Sequence, residues 1–147
     1  MRAVLTAGLA LAALSAGPAL AADAQGAILF KQRCAVCHMS EAQGVPGAFP
    51  PLKKDVASFA GKPDGRRYLI LVVTHGLAGP IKADGQVYRN IMPPLSMLTD
   101  AQVASVLNHV TGTNKPFTAE EVTKIKTAGA MMTPTQIADL NHKLVGP

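Results

Sequence analysis

The hydrophobic positions form one solid apolar block at the start of the chain, then helical stripes separated by glycine- and proline-rich stretches. Ala3 to Leu14 is almost wholly apolar, Arg2 stands ahead of it, and Ala19-Leu20-Ala21 follows. A positive start, a short apolar stretch and small residues at a cleavage point form a secretory signal, expected here over residues 1–21. The competing reading is a membrane anchor. Gly17-Pro18 breaks the run short of the roughly 20 residues a spanning helix needs. With the signal removed, no other segment is long and apolar enough to span.

Beyond the signal, a first helix is expected from Ala24 to about Arg33, with Asp23 as N-cap and Ala27, Phe30 and Cys34 near one face. Ser40 to Lys62 reads as loop. Arg66 to Thr74 reads as a second helix, although its β-branched residues also permit a strand. Gly76 to Leu95 is a long loop in which glycines and prolines exclude regular structure across most of the length. Thr99 and Gln102 form a capping box that opens a helix to about Thr111, striped by Val103, Val106, Leu107 and Val110. In the tail, Thr118 and Glu121 form another box for a helix to about Thr127, and Thr133-Pro134 starts a third. The expected class is all-α, with a body over residues 22–113 and a helical extension over 114–147. Ile137, Leu140 and Leu144 can dock the extension as a packed cap; a partner-binding arm is the alternative.

Composition adds two points. The chain has 147 residues, 48% hydrophobic but only 4% aromatic, with no Trp. A single domain so thin in large side chains leaves room for a planar cofactor. Without Arg2 the Lys and Arg count falls from 14 to 13 against 9 acids, a balance of +4. The charges are scattered, which argues against nucleic acid and for an acidic protein partner.

The chemistry is concentrated at Cys34-Ala35-Val36-Cys37-His38. This is the C-x-x-C-H pattern of covalent haem attachment. Two thiols one helical turn apart can add across the two vinyl groups on one porphyrin edge, and the following imidazole can reach the iron. A thioredoxin-like site needs a βαβ setting, and a zinc site needs two more ligands. A Cys34–Cys37 disulfide would close a tiny loop to little effect.

The second axial ligand decides function, and Met raises the potential. Met39 adjoins His38 and cannot reach round the ring; Met97, Met131 and Met132 read as packing. Met92 precedes Pro93-Pro94, which hold the backbone extended, and lies 92 − 34 = 58 residues past the first cysteine. It is the candidate ligand. His75, His109 and His142 read as surface or hydrogen-bonded residues.

These residues resemble the class I cytochrome c family from about Asp23 to Thr113. The resemblance rests on Gly26 and Phe30, the attachment motif, Phe49-Pro50-Pro51-Leu52 and Ile91-Met92-Pro93-Pro94. It implies the class I fold, one haem c on Cys34 and Cys37, and His38 and Met92 as iron ligands. It further implies a Pro50 carbonyl that accepts the His38 N–H, and Leu52 against the ring. Gly44 to Leu52, His75 to Ile81 and Gly85 to Tyr88 resemble cytochromes that serve periplasmic dehydrogenases, nitrite reductases and oxidases. One departure is His109, where such cytochromes often carry an aromatic; weaker packing of Phe30 is expected. Tyr88 and Arg89 are candidates for a haem propionate. Lys31, Arg33, Lys53, Lys54, Lys82 and Arg89 are candidates for a positive docking ring. The expected function is outer-sphere electron transfer in the periplasm. The alternatives are a haem subunit of a larger dehydrogenase or oxidase, and a haem enzyme or gas sensor with an open sixth position.

Overall fold

The computed structural model describes residues 18–146. The part of the expected signal peptide over residues 1–17 lies outside them. Helix α1 runs Pro18–Leu29 and continues through a π-helical turn, Phe30–Cys34, into α2, Ala35–His38. The first helix therefore starts six positions earlier than the Ala24 expected, and Asp23 lies inside it rather than at its cap. Pro18 suits an opening position because no N–H is needed there, and Ala19, Ala21 and Ala22 are strong helix formers.

Three further helices complete the body. They are α3, Lys54–Ala60; α4, Pro63–His75; and α5, Asp100–Thr111. The α3 helix corrects the loop expected over Ser40 to Lys62. Asp55 supplies a negative charge to its first turn, and Phe59 and Ala60 are buried. The loop after α4 also departs from expectation. It contains an antiparallel hairpin of β1, Ile81–Ala83, and β2, Gln86–Tyr88. Asp84 and Gly85 have φ of 45° and 83°, the left-handed pair that a two-residue hairpin turn demands. Beyond the body lie α6, Ala119–Ala128, and α7, Pro134–Val145.

Helices α1 and α5 cross closely. A Cβ on Gly26 would lie 2.3 Å from the Ser105 carbonyl oxygen, so only glycine permits the approach. Beside it the Phe30 and His109 rings sit 5.6 Å apart, tilted by 52°. The imidazole thus supplies the ring contact that the departure at this position had put in question. The capping box of Thr99 and Gln102 is formed, as is that of Thr133 and Gln136. Thr118 caps α6 by accepting from the Glu121 N–H.

The Glu121 carboxylate points instead to Arg66. Arg66 is only 4% exposed and holds Glu121 through two bonds of 2.7 and 2.5 Å. Its remaining N–H groups reach the carbonyls of Ala60, Lys115 and Pro116, and the guanidinium lies 3.7 Å over the Phe117 ring. One side chain of α4 therefore ties α3, the 115–117 segment and α6 together. Ile137 and Val122 are fully buried, and Leu140 and Leu144 pack partly against the core. The extension is docked on the body. Met97 and Met131 are not packing residues as expected, being 61% and 93% exposed.

Replacing Arg66 with Leu strands a partly buried carboxylate and three carbonyls, and is expected to cost about 3 kcal/mol in denaturant unfolding. Glu121→Gln should cost less, since an amide oxygen still accepts. A second ion pair links Asp100 to Lys126, with Thr123 donating to the same carboxylate. The Lys126 ammonium, then Thr123, holds the Asp100 carboxyl below its usual pKa. Its unfolded pKa is higher, so the stabilisation is present above that value and is lost as pH falls through the folded one. Asp100→Asn is expected to lower stability at neutral pH and to flatten this acid limb, read from unfolding curves across pH.

Candidate functional site

A cleft with about 790 Å³ of open space lies between the α2–α3 connection, α4 and the hairpin loop. Cys37, His38, Pro50, Leu52, Tyr88 and Met92 all line it. Six of the seven residues singled out in the sequence thus meet in one place. The seventh, Cys34, is half-buried and ends the π-helical turn one helical turn before Cys37. A π turn inserts one residue into the helix and re-aims the side chains beyond it. Both thiols are free, so no disulfide competes for them. Burial pushes the Cys34 thiol up to about 11.

His38 closes α2 and is buried. Its Nδ1–H donates to the Pro50 carbonyl over 2.8 Å, because a carbonyl can only accept. That bond fixes the tautomer and leaves Nε2 with its lone pair available. Burial lowers the His38 pKa and outweighs the opposite pull of the Pro50 bond. A neutral imidazole is the form that ligates metal.

The carbonyl is placed by a tight loop. Gly44 N–H donates to the His38 carbonyl, Leu52 N–H to Ala42, and Val45 pairs with Phe49. Gly44 has φ of 66°, and a Cβ there would fall 2.4 Å from the Phe49 oxygen. Met92 is held by different means. Its N–H donates to Leu77 and its carbonyl accepts from Leu77, both at 2.9 Å. This two-bond bridge folds the loop back on itself and pins the Met92 backbone where α4 ends.

The remaining walls are mostly apolar. Phe59 and Tyr68 meet edge to face with centroids 5.8 Å apart, and Leu69, Val72 and Leu77 continue the surface. Tyr68, Leu69 and Val72 fall within the segment expected as the second helix, but nothing in the sequence said that it faced a cleft. Asn141 of α7 also lines the cleft, and no local signal marked it. Tyr88 is buried with its hydroxyl donating to Gln86 over 3.2 Å, and Arg89 is exposed. An open apolar slot, two free thiols at its edge and an imidazole with one free nitrogen suit a flat covalent macrocycle.

The turn at Gly44 can be tested against Gly47, whose φ is 76° but whose Cβ would meet nothing within 4 Å. Gly47→Ala is expected to cost only the left-handed penalty, about 1–2 kcal/mol. Gly44→Ala carries the same penalty plus a backbone overlap and should destabilise clearly more, as read by denaturant unfolding.

Residues 24–114 match the family model described as Cytochrome c. A cytochrome c-552 of Thermus thermophilus is 41% identical over 143 residues, covering 91% of this chain and 95% of that protein. A second cytochrome c-552 from Thermus thermophilus is 42% identical, covering 83% of this chain and 98% of its own length. The cytochrome c subunit of the quinone alcohol dehydrogenase of Gluconacetobacter polyoxogenes is 31% identical over 115 residues, 74% of this chain but 24% of that protein. Together with the cleft and its C-x-x-C-H run, these matches establish that the chain belongs to the class I cytochrome c family, electron-transfer proteins with covalently bound haem c.

Proposed function

We propose that this chain is a periplasmic one-electron carrier, its haem thioether-bonded to Cys34 and Cys37 and its iron held between His38 and Met92. The observation that carries this is the convergence of His38 and Met92 on one cleft, each anchored independently. The Pro50 bond leaves the His38 Nε2 unprotonated, and the Leu77 bridge holds the Met92 backbone. When bound, the haem supplies a single-electron iron couple. The residues of the chain do the rest. His38 contributes a basic nitrogen made firmer by its donated bond. The Met92 thioether is neutral and soft, which favours the ferrous state and closes the sixth position. Phe59, Leu69, Val72 and Leu77 keep water from the cleft, so little solvent reorganises when charge moves.

The apolar start of the chain supports export, and the bacterial relatives are consistent with it. Among the described residues no helix is long and apolar enough to cross a membrane. Lys31 and Arg33 precede Cys34, Lys53 and Lys54 follow Leu52, and Arg89 follows Tyr88. All five are exposed, whereas Lys82 is half-buried. These cations beside cleft residues support an acidic redox partner: a dehydrogenase, a reductase or a terminal oxidase. The Tyr88 hydroxyl already donates to Gln86, which leaves Arg89 as the freer donor toward a propionate. A second reading, a fixed haem subunit of a larger dehydrogenase, is supported by the likeness to the alcohol dehydrogenase subunit. Co-purification with a large catalytic subunit would favour it.

Met92→Ala keeps the haem attached but opens the sixth position. Its reduction potential is expected to fall by on the order of 100 mV, about two tenfold steps in the one-electron equilibrium. Its ferrous form should bind carbon monoxide rapidly, while the wild type resists it. An unchanged potential with unchanged gas binding would remove Met92 as ligand.

A further inference from the structure

The C-terminal extension lies outside the family match, which ends at residue 114, yet it reaches the haem cleft. The contact is Asn141 on α7, one of the most deeply buried side chains of the protein at 1% exposed. Its carboxamide oxygen accepts the Lys82 N–H over 2.8 Å, and its amide donates to the Lys82 carbonyl over 3.1 Å. Both backbone groups of Lys82 therefore turn away from β2, and one side chain completes the free edge of the hairpin. Burial raises the Tyr68 pKa, and the same Asn141 carboxamide beside its hydroxyl pulls the other way. Asn141, Tyr68 and Lys82 all line the cleft. They form a polar seam in a wall built mostly from apolar side chains.

The rest of α7 is arranged to hold this group in place. Ala78 N–H donates to the Pro134 carbonyl over 3.2 Å, at the start of the helix. Ile137 and Ala138 are buried one turn before Asn141. A packed cap would need only those apolar contacts. Burying a carboxamide costs free energy unless each of its polar atoms is paired. Here both paired atoms belong to Lys82, in the hairpin that precedes Met92 and forms one cleft wall.

We infer that Asn141 is a positioning residue for the haem cleft, through which the C-terminal extension closes the 81–88 hairpin against Tyr68 and keeps water from the redox centre. The extension then acts on the potential of the protein as well as on its stability. Loss of the clamp leaves Lys82 N–H and C=O seeking water beside the Tyr68 hydroxyl. Water in the cleft raises the local polarity and stabilises the more charged ferric state, which lowers the potential. The inference rests on the haem occupying this cleft.

The test uses the full-length holoprotein and compares three variants. Asn141→Leu keeps the approximate size and removes the seam. Tyr68→Phe removes only the hydroxyl. Val122→Ala loosens the extension at the fully buried Val122 of α6, which does not line the cleft. Each is measured for stability by denaturant unfolding and for midpoint potential by equilibrium titration. Asn141→Leu is expected to shift the one-electron equilibrium toward ferric about tenfold, ~59 mV. Tyr68→Phe should shift it in the same direction by less. Val122→Ala should lose stability and leave the potential unchanged. An unchanged potential in Asn141→Leu overturns the inference, and so does a shift of equal size in Val122→Ala. If Asn141→Leu fails to fold, Tyr68→Phe against Val122→Ala decides on the same criterion. The optical spectrum of the wild-type holoprotein tests haem placement separately, so failure of the one is distinguishable from failure of the other.

Discussion

The site depends on one hydrogen bond, from His38 Nδ1–H to the carbonyl of Pro50. It assigns the proton to one ring nitrogen and so frees the other. It also sets the ring plane relative to the cleft. The neighbouring structure serves this bond. His38 ends a helix, and the chain must then turn back within twelve residues to bring a carbonyl against it. Gly44 permits that turn because its backbone is left-handed and its missing side chain leaves room for Phe49 and Pro50. Two prolines stiffen the returning strand of chain. Burial then lowers the pKa of the imidazole, which favours its neutral form.

Labour is divided between helices and loops. Helices α1, α4 and α5 make the rigid body, with the Gly26 crossing and the Phe30–His109 contact at its closest point. The loop after α2 carries the Pro50 carbonyl and the loop after α4 carries Met92, and paired backbone bonds hold both. Arg66 joins the extension to the body, where a buried guanidinium meets a carboxylate, three carbonyls and an aromatic face. The extension closes the remaining wall. Through Asn141 of α7 the cleft draws on more of the chain than the family core alone.

How legible each feature was depends on the range of the interaction that makes it. The attachment motif is local, since five consecutive residues carry the thiols and the imidazole. The capping box at Thr99 is equally local and is formed, whereas the one expected at Thr118 keeps only its Thr118 half because the Glu121 carboxylate turns to Arg66. Met92 could be singled out because Pro93-Pro94 distinguish it from the other methionines. Helix α3 was read as loop because Pro50, Pro51 and Gly61 surround a segment of seven residues, too short for a full apolar stripe. The hairpin was missed although Asp84-Gly85 is a strong turn signal, because the flanking strands have three residues each. Arg66 and Asn141 were not legible at all, since their partners lie 55 and 59 positions away and no local pattern encodes such a pairing. The place of His109 beside Phe30 was legible only through the family resemblance, and the ring contact it makes was not expected.

The most direct measurement is the ferric absorption spectrum of the mature holoprotein, recorded before and after removal of Met92. Sulfur ligation produces a weak far-red band that imidazole, water or an open position does not. With His38 and Met92 on the iron, the wild type shows this band and the variant lacks it. A wild-type spectrum without it, or a band that survives the loss of Met92, would contradict the axial pair from which the function is drawn.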